Sequence, residues 1–287
     1  MPRIFPEQDS ENLAICLTLS GTKGFSLLAS NIIPDLHLIG DAQCFPLYLY
    51  EKNEGKEDMF NQDGEAGYQR KDAITDEALE HFQSPYPEAI ITKEDIFYYT
   101  YGLLHSEDYR DRYADNLIKQ LPRIPRMRTY GDFSDVVQAG RDLMWLHLNY
   151  DSVNLNTQTT LTGSLKGLKV TEQVVKGGDD ADFFVTKMKF AKKGDKSRVI
   201  YNGKITIENI PEEAYDYVVN GKPALEWVME RQAITTDKKS GIINDANDWA
   251  TETMGNPRYP LELFLRVITV SLETQKVVRS LPKLDIL

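Results

Sequence analysis

Cysteine and histidine are scarce in this chain of 287 residues, which has two of the first (Cys16, Cys44) and four of the second (His37, His81, His105, His147). The histidines are far apart and show no paired ligand spacing, which argues against a zinc site. Both cysteines fall in apolar, strand-like stretches and read as buried, reduced thiols of a reducing compartment. Long apolar runs are missing as well. The best, "LELFLRVITVSL", is shorter than the ~20 residues of a membrane span and carries Arg266 in its middle. The opening "MPRIFPEQDSEN" has no apolar leader core, so a cytoplasmic protein with no membrane partner is expected. A Walker A loop, a Gly-x-Ser-x-Gly elbow and a Cys-x-x-Cys pair are all absent, and nothing resembles an active site. Positive charge is in deficit too. Lys and Arg number 33 against 44 Asp and Glu, a net charge of −11, which taken alone argues against a free-standing nucleic-acid binder.

What charge there is lies unevenly. Positions 119–131 hold Lys119, Arg123, Arg126 and Arg128 with no acid, and 187–198 hold Lys187, Lys189, Lys192, Lys193, Lys196 and Arg198 against Asp195 alone. Each strip reads either as a solvated face or as a local phosphate grip. Aromatic residues are concentrated in "TKEDIFYYTYGLLHSEDYRDRYADNLIKQLPRIP", where Phe97, Tyr98, Tyr99, Tyr101, Tyr109 and Tyr113 fall within seventeen positions. Rings so placed either stack on bases or, at helical spacing, form core.

The local pattern is mixed. "NLAICLTL", a turn through "GTKG", then "LHLIG" and "FPLYLYE" read as strands. A polar excursion follows from 51 to 72. Thr92 and Asp95 have the spacing of a capping box and Ser106 suits a second N-cap, giving two helices joined across 102–106, the second ended by Pro122. Asp132 is placed to cap a third helix with Val136, Gly140, Leu143 and His147 on one face. From about 157 three or four antiparallel strands are expected, with Asn202-Gly203 as a hairpin turn. Beyond Pro211 the reading is helical as far as Gly221, then again at about 223–233 and 260–279.

Two chemical motifs compete with non-catalytic readings. Pro34-Asp35 followed by Glu54-Gly55-Lys56 matches the loose PD-(D/E)xK pattern of nucleases, whose carboxylates hold Mg²⁺ from adjacent strands; here Glu54 and Lys56 fall in a polar loop. "NPRY" at 256–259 is similar to the Asn-Pro-Pro-Tyr of adenine methyltransferases, but no strand precedes it, no glycine-rich cofactor loop accompanies it, and a helix start explains it.

Taken in order, "GDAQCFPLYLYE", the aromatic stretch with its "LPRIP", "AGRDLMWLHLNYD", "KMKFAKK", "RVIYNGKITIENIPEEAYDYVVNGKPALEWVMERQ", "TDKKSGIINDANDW" and "PRYPLELFLRVITVSLETQKVV" resemble successive blocks of one module. It is the C-terminal target-recognition (specificity) domain of type ISP restriction–modification enzymes. The resemblance implies one α+β module over 1–287, with two β-rich portions, a central helical hairpin and a helical C-terminal portion, divisible near 155/156. It implies recognition of duplex DNA without catalysis, with the methyltransferase and coupler domains of a parent enzyme as partners. The parent would be an adenine-N6 methyltransferase and ATP-dependent endonuclease. S-adenosylmethionine, ATP and Mg²⁺ would belong to its other domains and none to this chain. DNA contacts are then expected from Ser20, Thr22 and Lys23 in "SGTKG", from Lys187, Lys189, Lys192, Lys193, Lys196 and Arg198, and from Arg123, Arg126 and Arg128. The alternatives are a coupling or protein-interaction module without DNA contact and, remotely, the PD-(D/E)xK nuclease.

Overall fold

The computed structural model describes residues 3–7, 9–18, 24–35, 38–39, 42–52, 68–163, 168–169 and 180–287. It is an α+β protein of two compact units, Met1–Leu148 with Val277–Leu287, and Asn149–Lys276.

In the first unit, β1 (Ala14–Thr18) lies between β2 (Leu27–Ser30) and β3 (Ala42–Pro46), antiparallel to both. The apolar run 14–17 is buried as the central strand. β4 (Tyr48–Lys52) and β5 (Tyr68–Asp72) form a separate ribbon. Of the expected strand at 36–40 only Leu38 and Ile39 are among the described residues, and Leu38 N bonds to the Asp35 carbonyl (3.1 Å). Cys16 and Cys44 are free thiols that face each other across β1 and β3, Sγ to Sγ 3.4 Å. Cys16 is buried as expected, whereas Cys44 is only half-buried.

Helix α1 (Asp76–Gln83) precedes α2 (Lys93–His105), which begins with the full reciprocal capping box of Thr92 and Asp95. Ser106 then accepts from Tyr109 N and opens α3 (Glu107–Arg112). Tyr113 ends that helix, one turn follows as α4 (Ala114–Leu117), and the chain becomes extended. The joint is thus the single residue Ser106, not 102–106. Gly102 lies inside α2 because α5 (Tyr130–Leu148) presses on it there. A Cβ on Gly102 would stand 2.3 Å from Val136 O, and one on Gly140 only 1.9 Å from Tyr98 O. Glycine costs about 1 kcal/mol of helix propensity, which close helix packing offsets. Thr129, not Asp132, caps α5. Its hydroxyl accepts from Asp132 N and donates to the Asp132 carboxylate, so the acid is the third residue of the box. Val136, Gly140, Leu143 and His147 all point inward.

The aromatics of this unit form its core. Tyr99, Tyr101, Tyr109 and Phe133 are essentially inaccessible, and Tyr99 stacks on Phe133 with centroids 4.7 Å apart. A buried tyrosine needs a partner for its hydroxyl. Tyr109 donates to Arg123 O (2.7 Å), Tyr99 to Pro125 O (2.7 Å) and Tyr86 to Met127 O. Alternate carbonyls of an extended chain point the same way, so residues 123–127 are held as a strap by three phenols. The opposite side of the strap pairs with the C-terminal residues, Met127 bridging Ile286.

The second unit is built on one antiparallel sheet in the order β7-β6-β10-β9-β8. Its strands are β6 (Thr160–Gly163), β7 (Leu168–Lys169), β8 (Lys189–Lys192), β9 (Asp195–Ile200) and β10 (Ile205–Glu208). Asn202-Gly203 turns β9 into β10, as its dipeptide predicts, with Tyr201 N bonded to Ile205 O at 3.0 Å. Leu161, Val199 and Ile207 pack from the sheet against Phe264 and Ile268 of the last helix. The segment beyond Pro211 is not one helix to Gly221. A single tight turn (Glu212–Tyr215) leads into the ribbon of β11 (Val218–Val219) and β12 (Lys222–Pro223). Asn220 and Gly221 there both have positive φ (50° and 74°), the geometry of a two-residue hairpin turn that Asn-Gly favours. α6 (Ala224–Arg231), the ribbon of β13 (Ile234–Thr236) and β14 (Ile243–Asp245), the short α7 (Ala246–Asp248) and α8 (Tyr259–Ser280) complete the chain.

Candidate nucleic-acid interface

The three groups of expected DNA-contacting residues have different surroundings. Ser20, Thr22 and Lys23 lie outside the described residues. The strip at 119–131 is the strap of the first unit. Arg126 donates to His81 O (2.8 Å) and Ser84 Oγ (2.9 Å), tying the strap to α1. Arg128 holds both Asp285 oxygens through Nε (2.9 and 3.1 Å) and donates to Ile286 O through Nη2. These two guanidinium groups are occupied within the unit. Arg123 and Lys119 are exposed.

The strip at 187–198 forms the edge hairpin of the five-stranded sheet. Met188 is buried, and Phe190 and Val199 pair across β8 and β9. This alternation sends Lys187 and Lys189 to solvent. A bulge between Phe190 and Lys192 lets Lys192 and Lys193 follow, and Gly194 (φ 84°) makes the turn. The six cations then divide. Lys196 is 2.9 Å from Glu226 and lies 5.0 Å from the Tyr215 ring centroid. Arg198 sits 3.7 Å from both Asp195 and Glu208. Lys187, Lys189, Lys192 and Lys193 are exposed and make no ion pair among the described residues. Asp195, the acid of the strip, is turned inward on its own hairpin. Hydrogen bonds from the Ser197 hydroxyl and N–H, then the fields of Arg198 and Lys192, hold its carboxyl below the usual range. An edge strand carrying lysines also resists pairing with other strands.

Lys238 and Lys239, in the turn between β13 and β14, are likewise exposed and without an ion pair among the described residues. They were not among the expected contacts. Their signal is adjacent lysines inside "DKKSG", where an Asp-x-x-Ser-Gly turn projects its middle residues.

The catalytic alternatives gain no geometry. Glu54 and Lys56 of the nuclease pattern lie outside the described residues. No cluster of three His, Cys, Asp or Glu able to hold a metal occurs among the described residues. Asn256 of "NPRY" caps the last helix. Its Oδ1 accepts from Arg258 N (3.0 Å) and its Nδ2 donates to Glu262 (3.0 Å). No helix among the described residues is long and apolar enough to cross a membrane.

Residues 1–263 match the model of the Type ISP C-terminal specificity domain. The chain belongs to that family. Its resemblance to solved structures agrees. The ATP-dependent Type ISP restriction–modification enzyme LlaBIII bound to DNA matches all of this chain at 35% identity and a TM-score of 0.82. A nuclease-deletion mutant of the Type ISP enzyme LlaGI, in complex with a DNA substrate mimic, also matches all of it, at 36% and 0.76. A DrdV–DNA complex matches 98% of it at 33% and 0.75. The specificity domain spans only 17%, 22% and 26% of those chains. No curated protein matches it by sequence.

Proposed function

We propose that this specificity domain recognises a short sequence in duplex DNA and presents it to the methyltransferase of a parent restriction–modification enzyme, contributing no catalytic group of its own. The observation that carries the reading is the edge hairpin of β8 and β9, where Lys187, Lys189, Lys192 and Lys193 are exposed and make no ion pair among the described residues, in a chain of net charge −11. Such a group grips phosphate by displacing condensed counterions. The acidic remainder fits a module that shares DNA with neighbouring domains. Those neighbours would hold S-adenosylmethionine, ATP and Mg²⁺ and carry out adenine-N6 methylation and ATP-driven cleavage in the cytoplasm.

The test is Lys192→Ala with Lys193→Ala in the methyltransferase-linked protein. Affinity should fall for all sequences alike, and the slope of log affinity against log salt should flatten by about 1–2 units. Unchanged affinity and slope would make the strip a solvated face and return weight to a coupling role.

A further inference from the structure

The ribbon of β13 and β14 is exposed on both of its faces. Thr235 pairs with Asn244 and Thr236 with Ile243, and all four are exposed. Ile242 and Ile243 at its tip are 60% and 65% exposed. A two-stranded ribbon with no sheet beneath it is marginal alone, yet both ends of this one are fixed. At the base, Ile234 N bonds to Thr186 O (2.9 Å), and Asn247 brackets Val185, accepting from its N–H and donating to its carbonyl, each at 2.8 Å. At the tip, Asp237 Oδ1 accepts from Lys239 N (3.0 Å), Ser240 N (2.7 Å) and the Ser240 hydroxyl (2.9 Å), while Asp237 N bonds to Ile242 O (2.9 Å). The carboxylate is spent on the turn, and Lys238 and Lys239 project beyond it. Thr186, which holds the base, adjoins Lys187, so the ribbon grows from the start of the basic edge.

We propose that the hairpin 234–245 is a probe that enters the major groove of the target duplex. There Thr235 and Asn244, paired on one face, meet base edges, Ile242 at the tip meets a thymine methyl group, and Lys238 and Lys239 hold the flanking phosphates. The groove, about 12 Å wide, admits a two-stranded ribbon, and an asparagine amide can bond adenine through two contacts. A preformed tip loses little entropy on entry. Lysine charge at the tip and its continuity with the lysine edge favour DNA over a protein surface as the occupant. An exposed isoleucine among hydrogen-bonding side chains suits a base-reading surface better than a phosphate-only one. The inference rests on the reading of this domain as a DNA-recognition module.

The test selects binding sites from a randomised duplex library with the complete enzyme, using wild type, Thr235→Ala/Asn244→Ala, Ile242→Ser and Lys192→Ala/Lys193→Ala. The first two variants should relax the choice at one or two base pairs by about tenfold or more, leaving the other positions and the salt slope unchanged. The strip variant should weaken binding without altering the selected sequence. Lysine acetylation of the wild-type enzyme is a second measurement, independent of variant folding. Lys238 and Lys239 should react several-fold more slowly once the selected duplex is added. Unchanged sequence choice in both hairpin variants, or lysines equally reactive with and without duplex, overturns the probe. If those lysines are already protected without DNA, another domain or a second copy occupies the ribbon and the probe is again overturned. A wild-type enzyme that selects no sequence defeats the underlying reading itself.

Discussion

The two units spend their cations differently. In the first, Arg126, Arg128 and Arg141 all hold partners within the unit, while Lys119 and Arg123 stay exposed. Arg141 holds Glu94 (3.1 Å) and Asp95 (2.9 Å) and lies 4.2 Å from the Tyr98 ring centroid. In the second, four lysines of one strand edge and two of a ribbon tip stand unpaired among the described residues. Tight helix packing and phenol-to-carbonyl bonds make the first unit a scaffold whose polar groups satisfy one another. The sheet edge and ribbon of the second leave donors pointing outward. Charge density along the sequence is therefore a poor guide to which cations stay unpaired. What matters is whether a carboxylate or carbonyl comes within reach after folding.

That contrast is most readily broken in the core of the first unit. Leu103→Ala empties a fully buried site and should cost roughly 2–5 kcal/mol. Gly140→Ala, which drives a methyl group into a backbone carbonyl of α2, should cost roughly 3 kcal/mol for the opposite reason. Urea denaturation reads both. A wild-type midpoint in either would mean that the helices do not meet as described.

Acid should come next. His105 and His147 are buried beside each other. Tyr101 OH and His147 Nδ1 share a hydrogen bond (2.6 Å), while His105 bonds the Tyr101 carbonyl (2.8 Å). Burial, then the nearby Arg110 charge, lowers His147 from 6.5 to about 3, and burial lowers His105 well below 6.5. Both are bases with depressed folded values, so the unfolded chain takes up protons first. Stability is full above about 6.5 and lost as pH falls from there toward 3. The loss should reach about 1.4 kcal/mol per pH unit for each histidine. Denaturation midpoints from pH 7.5 to 5, with imidazole NMR titrations, check this. Normal titration of both rings would contradict the buried pair.

Tyr99→Phe keeps the ring and strands the Pro125 carbonyl, so it should cost about 1–3 kcal/mol. Proteolysis at the strap should accelerate with it, and an unchanged digestion pattern would show that the phenols do not hold the strap. Smallest of all, Arg128→Gln removes an ion pair whose partners are more than half exposed and should cost at most about 1 kcal/mol. A change in DNA sequence choice from that variant would erase the distinction between occupied and free cations.

Much of this was written locally. The Thr92–Asp95 box, the Ser106 cap, the Asn202-Gly203 turn and the last helix each depend on groups within about four residues of one another, and all were legible from residue types alone. So was the family, because its blocks run in order along the chain. Two misplaced details were local, the Thr129 cap in place of Asp132 and the Asn220-Gly221 turn in place of a helix end, but others were decided by neighbours distant in sequence. Gly102 reads as a break but is needed for the approach of α5, and Cys16 meets Cys44 only through strand register. The basic strips looked alike as strings. Arg128 loses its freedom to Asp285, 157 positions away, and Lys196 to Glu226 on α6, whereas Lys192 and Lys193 keep theirs. The sequence by itself determined which groups could bond and which local turns would form. Only the tertiary structure decided which charges remained unspent, because an ion pair needs two groups within about 4 Å and the path of the whole chain sets that distance.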